Sequence, residues 1–150
     1  MTYEIIEDYE SHNTVYLELR STPKSLAGKS KKEYIEAILE VIEQAEIDMP
    51  RIKVRYLVSI NRTDTDIEGI RDTLKTVKEL ASPYIAGVEL SGDPRKGSFS
   101  NLKEILTEAR EEYGLKISIH CAETQDQIAE SQEIIDFYPD RLGHCCYLVS

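Results

Sequence analysis

Two histidines and a glutamate in the last third of the chain are the residues best suited to chemistry. His120 is followed three residues later by Glu123, and His144 lies one strand-and-helix repeat further along. A neutral imidazole is a common zinc ligand, and a nearby carboxylate can act as a general acid or base without binding the metal. Since neighbouring parallel strands lie about 4.8 Å apart, the spacing predicts that His120 and His144 face one pocket.

The cysteines near these histidines allow another interpretation. A zinc site made of His120, His144, Cys145 and Cys146 is conceivable. Adjacent residues of a strand point to opposite faces, however, which disfavours it. An odd number of cysteines without a signal-peptide pattern is not typical of a disulfide framework. We therefore expect Cys121, Cys145 and Cys146 to be free thiols.

Alternating apolar segments must position these residues. A Ser30–Glu33 capping box precedes one helix, and Gly114 and Pro139 stop two others. Strand-and-helix alternation predicts parallel strands joined by right-handed crossovers. The strand candidates are residues 14–19, 54–60, 84–90, 115–119 and 142–149, and helical spacing marks residues 3–9, 35–45, 67–80, 102–109 and 128–137.

Two architectures fit this alternation. Successive strands begin about 30 to 40 residues apart, which suits both a closed eight-stranded barrel and an open doubly wound sheet. Spacing alone therefore does not choose between them. In both architectures the chemistry lies at the carboxyl ends of the strands, where His120 and His144 are predicted to be.

The other strand ends carry weaker signals. The hydroxyls and the cation of Ser21-Thr22-Pro23-Lys24 could hold a phosphate, although a capped loop with solvated lysines fits equally well. Gly28-Lys29-Ser30 hints at a P-loop, but proline stands at position 23, where that motif needs a glycine. Gly92 would let a ligand approach the backbone, or it forms an ordinary turn.

Composition limits the classes of partner. The formal net charge is -10 and 31% of the residues are charged, which argues against non-specific binding of nucleic acid. No apolar stretch is long enough to cross a bilayer, and the acidic start does not have the form of a signal peptide. We expect a cytoplasmic protein with a small-molecule ligand. The oligomeric state stays open.

Several of these segments together resemble one enzyme family. His120-Cys121-Ala122-Glu123 is similar to the His-x-x-Glu on the fifth strand of adenosine deaminases, and Arg141-Leu142-Gly143-His144 is similar to the Arg-Ile-Gly-His on their sixth. Residues 87–93 resemble the fourth-strand segment. Residues 16–23 and 54–58 fit best the adenosine-deaminase-like branch, the N6-methyl-AMP deaminases.

The resemblance implies a partial TIM (β/α)8 barrel of the metal-dependent hydrolase type. Residues 1–150 would form a single partial domain that supplies strands two to six, with the first, seventh and eighth strands missing. The chain also ends directly after a strand candidate, without a covering helix. We therefore expect it to be a fragment of a longer protein.

The resemblance also implies roles for particular residues. His120 would be a ligand of one zinc ion, and Glu123 would donate a proton to the purine ring. His144 would orient the attacking water and help to deprotonate it. Gly92 would contact the base, Asn61 would lie near the substrate, and Ser21, Thr22, Pro23 and Lys24 would lie near a phosphate.

The implied reaction is the zinc-dependent hydrolytic deamination of a purine nucleoside or nucleotide at C6, with N6-methyl-AMP converted to IMP and methylamine. The His-x-His of the family's first strand and the aspartate of its eighth are absent from this sequence. Only His120 remains as a ligand, so we expect the isolated chain to be inactive. The alternative is a non-catalytic α/β module that binds a partner, or a phosphate ligand through Lys24 and Lys29.

Overall fold

The computed structural model describes residues 1–148, which alternate between helix and strand along their whole length. Short 3-10 turns at Phe99–Asn101 and Gln125–Gln127 precede two of the helices. The elements are α1 (Thr2–Ser11), β1 (Tyr16–Ser21), α2 (Lys31–Asp48), β2 (Lys53–Asn61), α3 (Ile67–Leu80), β3 (Ile85–Ser91), α4 (Lys103–Glu111), β4 (Ile117–Cys121), α5 (Ile128–Asp136) and β5 (Arg141–His144).

The five strands form one parallel sheet in sequence order, β1-β2-β3-β4-β5. A doubly wound sheet would reverse its strand order at a switch point, and this sheet does not. The sheet is also curled, as shown by the bond that Nη2 of Arg141 on β5 donates to Oε1 of Glu18 on β1 at 3.0 Å. The two outer strands thus meet through side chains across the concave face. The architecture is a half-barrel, as the family resemblance implied.

Apolar helix faces cover the convex side of the sheet. Helix α2 begins at the predicted capping box, in which the Ser30 side chain accepts from the Glu33 N–H and the Glu33 side chain accepts from the Ser30 N–H. Its buried face carries Ile35, Ile42 and Ala45 at helical spacing. Burying such side chains contributes about 1.5–3 kcal/mol for each large one. This packing fixes the strands whose carboxyl ends carry the polar residues.

The last strand is shorter than the apolar pattern predicts. Strand β5 ends at His144, because His144 and Cys145 adopt left-handed backbone angles with φ of 60° and 57°. Left-handed residues cannot continue a strand. The prediction that this strand extends to Val149 is therefore wrong for residues 145–148. Val149 itself lies outside the described residues. Over those residues, no helix combines the length and the apolar character needed to cross a membrane.

Candidate active site

His120, Glu123 and His144 lie together at the carboxyl ends of β4 and β5. One ligand atom from each side chain lies within 4.8 Å of the other two. The imidazole rings meet edge to face with centroids 4.7 Å apart, and Nε2 of His144 lies 3.7 Å from Oε2 of Glu123. The structure thus brings together the three residues that the sequence pattern singled out. Imidazole and carboxylate groups at this spacing are the donors that zinc sites use.

The glycine before His144 lets the two histidines approach each other. In the register of β4 and β5, His120 lies opposite Gly143. A Cβ atom at position 143 would lie 3.1 Å from Cδ2 of the His120 ring, closer than ordinary van der Waals contact. Glycine therefore allows the ring to rest on the backbone of β5. This explains the residue type in the Arg-Leu-Gly-His segment.

A left-handed residue directs Glu123 towards this pair. Ala122 follows the last residue of β4 with φ of 51° and is 1% exposed. Its carbonyl accepts from the Tyr147 N–H at 3.0 Å, which ties the turn to the segment after β5. Strand alternation predicts His120 and Ala122 on one face, but the alternation stops at Cys121. The turn at Ala122 is what allows Glu123 to face His144.

A guanidinium faces the His120 ring. Nη1 of Arg20 lies 2.6 Å from Nε2 of His120, and because arginine can only donate, this nitrogen must accept with its lone pair. Oε1 of Glu89 lies 3.2 Å from the same nitrogen, a contact that would require it to donate. The two contacts require opposite protonation states of Nε2, so only one of them is a hydrogen bond in any one state. A metal ion could bond this nitrogen only after the Arg20 guanidinium had moved away from it.

Glu89 is a buried acid beneath His120 that the sequence pattern did not single out. Burial would raise its pKa, but contacts with His120, Arg20 and Ser118 outweigh burial and leave the pKa below its ordinary value. Ser118 Oγ donates to Glu89 Oε1 at 3.2 Å, and Nε of Arg20 lies 3.4 Å from Oε2. The only sequence signal was an acidic residue within the otherwise apolar run of β3.

The residues predicted to lie near a phosphate are dispersed. Ser21 is held at the end of β1 by Tyr56, whose hydroxyl lies 2.9 Å from Ser21 Oγ and donates to the Ser21 carbonyl at 3.1 Å. Burial raises the pKa of Tyr56 to about 12, so this donor stays protonated. Thr22 and Pro23 line a small cavity beside α3, whereas Lys24 lines a groove between α1 and α2.

The groove that contains Lys24 is a poor phosphate site. Lys29 also lines it, but its Nζ lies 3.2 Å from Oε1 of Glu33. Glu36 and Glu40 line the same groove. These three carboxylates balance the two lysines and the Met1 amino group, so the groove has no net positive charge to attract an anion. This disfavours the alternative in which Lys24 and Lys29 bind a phosphate ligand.

Asn61 and Gly92 lie side by side at the ends of β2 and β3. Gly92 has φ of 126°, and a Cβ atom there would lie 2.7 Å from Oδ1 of Asn61. That oxygen accepts from the Thr63 N–H at 3.0 Å and from its hydroxyl at 2.8 Å. Both the backbone angle and the close approach require glycine at position 92. The two residues thus occupy the carboxyl edge of the sheet, in line with their predicted positions.

Comparison with known proteins agrees with this geometry. An N6-methyl-AMP deaminase from Bos taurus is 37% identical over 155 residues, an alignment that covers 100% of this chain and 44% of that protein. The crystal structure of an Arabidopsis N6-mAMP deaminase superposes with a TM-score of 0.86 at 37% identity, covering 99% of this chain and 46% of that one. An Arabidopsis ADAL complexed with IMP gives 0.87 at 37% identity, with 99% and 45% covered.

The chain therefore spans less than half the length of the relatives that it matches. Within that span, the half-barrel and the strand order agree with the family resemblance. The family model described as adenosine deaminase matches residues 1–149. Because this match takes in almost the whole sequence, the chain belongs to the adenosine deaminase family.

Proposed function

We propose that this chain supplies part of the active site of a zinc-dependent deaminase acting at C6 of a purine, with N6-methyl-AMP as substrate. The observation that carries the proposal is the meeting of His120, Glu123 and His144 at the carboxyl ends of two adjacent parallel strands. Support for the substrate comes from the relatives, which include N6-methyl-AMP deaminases and an IMP complex. IMP and methylamine are the proposed products.

Each of the three residues has a proposed role. His120 holds zinc through an imidazole nitrogen, with the other protein ligands contributed from outside this sequence. A zinc ion, when bound, lowers the pKa of a coordinated water to near 7 and so makes a nucleophile available at neutral pH. His144 orients the attacking water and accepts its proton. Protonated Glu123 donates to the purine ring nitrogen as the water oxygen bonds to C6.

The second half of the reaction releases the amine. The bond between C6 and the methylamino nitrogen breaks, and a proton passes to the leaving amine. His144 and Glu123 both lie within reach of such transfers, since 3.7 Å separates their nearest nitrogen and oxygen atoms. The atoms balance as N6-methyl-AMP plus water giving IMP plus methylamine.

The proposed substrate contacts lie at the other strand ends. Gly92 exposes its backbone to the base, and Asn61 beside it lies near the substrate. Ser21 at the end of β1, and Thr22 and Pro23 directly after it, lie near the phosphate. Lys24 joins them only if its side chain leaves the groove between α1 and α2.

We propose further that the 150-residue chain alone does not turn over substrate. A single histidine does not hold zinc tightly against water, and the family's His-x-His and aspartate ligands are not in this sequence. The open edges of β1 and β5 are where further strands would pair. Activity then belongs to the completed barrel.

A chimera tests both proposals. Residues 1–150 would replace the matching segment of the Arabidopsis N6-mAMP deaminase, and IMP formation from N6-methyl-AMP would be measured with zinc for the chimera and for the chain alone. We expect turnover by the chimera only. His120→Ala in the chimera should abolish zinc retention and turnover, whereas His12→Ala, at an exposed position in the loop after α1, should change neither.

Two results would contradict the account. A folded, zinc-loaded chimera without deaminase activity would refute the proposed function. Turnover by the isolated chain at the rate of the chimera would refute the proposed need for the missing strands.

A further inference from the structure

Two buried side chains and one partly buried side chain join the loops that follow β2, β3 and β4. Arg62 comes directly after β2, and Gln127 and Glu130 lie at the start of α5. The Arg62 side chain is 5% exposed and that of Glu130 is 17% exposed, while Gln127 is 8% exposed as a residue. Burying polar groups in this way is costly unless each finds partners. Their partners include the backbone of the loops after β3 and β4, and Arg62 itself belongs to the loop after β2.

Gln127 contacts the backbone of the loop that carries Glu123. Its Oε1 atom accepts from the Glu123 N–H at 3.1 Å and from the Thr124 N–H at 3.3 Å. Its Nε2 atom donates to the Pro94 carbonyl at 3.3 Å, in the loop after β3. One amide side chain thus holds the Glu123 loop against the loop that begins with Gly92.

Glu130 and Arg62 hold Gln127 in turn. Nε2 of Gln127 donates to Oε2 of Glu130 at 3.2 Å. Nη2 of Arg62 donates to both oxygens of Glu130, at 2.6 and 2.7 Å. Nε of Arg62 donates to the Lys96 carbonyl at 2.8 Å, and the Phe99 N–H donates to Oε1 of Glu130 at 2.8 Å. These charge-assisted bonds leave the Gln127 amide little freedom to rotate.

The strained turn at Ala122 is what this network restrains. A left-handed conformation costs a residue with a Cβ atom about 1–2 kcal/mol, so the turn needs contacts on both sides to persist. The Tyr147 N–H bonds the Ala122 carbonyl, and Gln127 bonds the N–H of the next residue, Glu123. Backbone strain of this kind at an active site indicates that the surrounding structure holds the residue in place.

We propose that Gln127 is a positioning residue that holds Glu123 in the orientation for proton donation, with Glu130 and Arg62 fixing Gln127. This inference rests on the proposed function for the role of Glu123. The restraint of the Glu123 loop by Gln127 does not depend on that function. Hydrogen exchange can measure this restraint in the chain alone.

The first arm of the test is amide hydrogen exchange of the 150-residue chain by NMR. We expect the Glu123 and Thr124 amides to be protected, and Gln127→Met to speed their exchange by at least about tenfold by opening this loop locally. Gln132→Met is the matched control, because it makes the same change at an exposed position of α5, where the Gln132 side chain bonds Asp136 on the same helix. It should leave both amides unchanged.

The second arm is steady-state kinetics of the chimera with the same two substitutions. Misplacing a catalytic group by about 1 Å can cost on the order of 10²-fold, so we expect Gln127→Met to lower kcat on that scale. KM should stay within about twofold, because the loop that begins with Gly92 loses its Pro94 contact but keeps the bond from Arg62 Nε to the Lys96 carbonyl. Gln132→Met should preserve both constants.

Each outcome decides the proposal. Unprotected Glu123 and Thr124 amides in the unsubstituted chain would overturn it, even if Gln127→Met failed to fold. A folded Gln127→Met chimera with unchanged kcat would also overturn it. An unsubstituted chimera without activity would refute the proposed function instead, and exchange in the chain would still decide whether Gln127 restrains the loop.

Discussion

Two carboxylates at the amino ends of the strands and Glu123 at the carboxyl end have opposite surroundings. At the amino ends, Glu46 accepts from the Val54 N–H at 2.7 Å and pairs with Lys53, and Asp140 accepts from the Ile117 N–H at 2.9 Å and pairs with Lys116. At the carboxyl end, Glu123 has His144 at 3.7 Å, and about a third of its side chain is exposed.

Under the proposed function, this difference separates residues that stabilise the sheet from residues that take part in the chemistry. Burial would raise the pKa of Glu46 and of Asp140, but the backbone N–H and lysine partners outweigh it and leave both pKa values below their ordinary range. These acids are saturated with donors and cannot serve a substrate. Glu123 keeps its carboxyl group available while its backbone is restrained. Barrels generally place catalytic groups at the carboxyl ends of strands and stabilising groups at the opposite face.

The largest expected effect lies at the carboxyl end. Glu123→Gln in the chimera should lower kcat by about 10²–10⁴-fold, because an amide cannot supply the proton of a general acid. The free energy of unfolding should change by less than about 0.5 kcal/mol, since the side chain is partly exposed. Steady-state kinetics and urea unfolding check both numbers. Glu112→Gln, at an exposed position after α4, is the control, and equal kcat values for the two variants would remove Glu123 from the chemistry.

The next largest effect is expected at the amino end of the strands, where a substitution should lower stability and leave kcat unchanged. Glu46→Ala leaves the Val54 N–H and Arg55 without their carboxylate, which should lower the free energy of unfolding by about 1–3 kcal/mol. The kcat of the folded chimera should not change. Glu43→Ala, on an exposed position of the same helix, should have little effect on either. A loss of kcat in Glu46→Ala without a loss of stability would contradict the assignment of a stabilising role to the acid at the amino end.

Lowering the pH should reduce the difference in the free energy of unfolding between the unsubstituted chain and Glu46→Ala. Because the pKa of Glu46 is lowered in the folded chain, its contribution is present above its unfolded value, near 4.5, and is lost as the pH falls through the lower folded value. The stability gap between the unsubstituted chain and Glu46→Ala should narrow below that pH. Urea unfolding at a series of pH values measures the gap. A gap that widens on acidification would contradict the assigned direction.

The smallest effect concerns a left-handed alanine away from the site. Ala81 ends α3 with φ of 44° and is exposed. Ala81→Gly should raise the free energy of unfolding by up to about 1 kcal/mol, because glycine adopts this conformation without the penalty of a Cβ atom. The kcat of the chimera should not change. Destabilisation by this substitution would show that the turn at Ala81 is not strained.

Local patterns made most of the fold predictable. Apolar spacing located all five helices and strands of residues 1–148, and the Ser30–Glu33 box fixed the start of α2. Strand spacing did not distinguish a barrel from an open sheet, because strand order depends on contacts between distant segments. The length of β5 was overestimated, since apolar residues beyond His144 do not reveal left-handed backbone angles.

The site was predictable only where sequence neighbours become spatial neighbours. His120 and His144 follow consecutive strands, so their meeting could be expected from topology. The pairing of Arg62 with Glu130 spans 68 residues and has no local signal. The bond from the Glu123 N–H to Gln127 depends on the left-handed turn at Ala122. An alanine in the sequence does not indicate a left-handed turn. Tertiary packing decides such contacts.

The most direct test of the account is a crystal structure of the zinc-loaded chimera, with the metal located by anomalous scattering. The account predicts a zinc ion bonded to an imidazole nitrogen of His120 at about 2.0–2.1 Å, with Glu123 and His144 lining the same pocket and Glu123 unbound to the metal. Zinc held by Cys145 and Cys146, or a pocket in which His120 and His144 face away from each other, would contradict it.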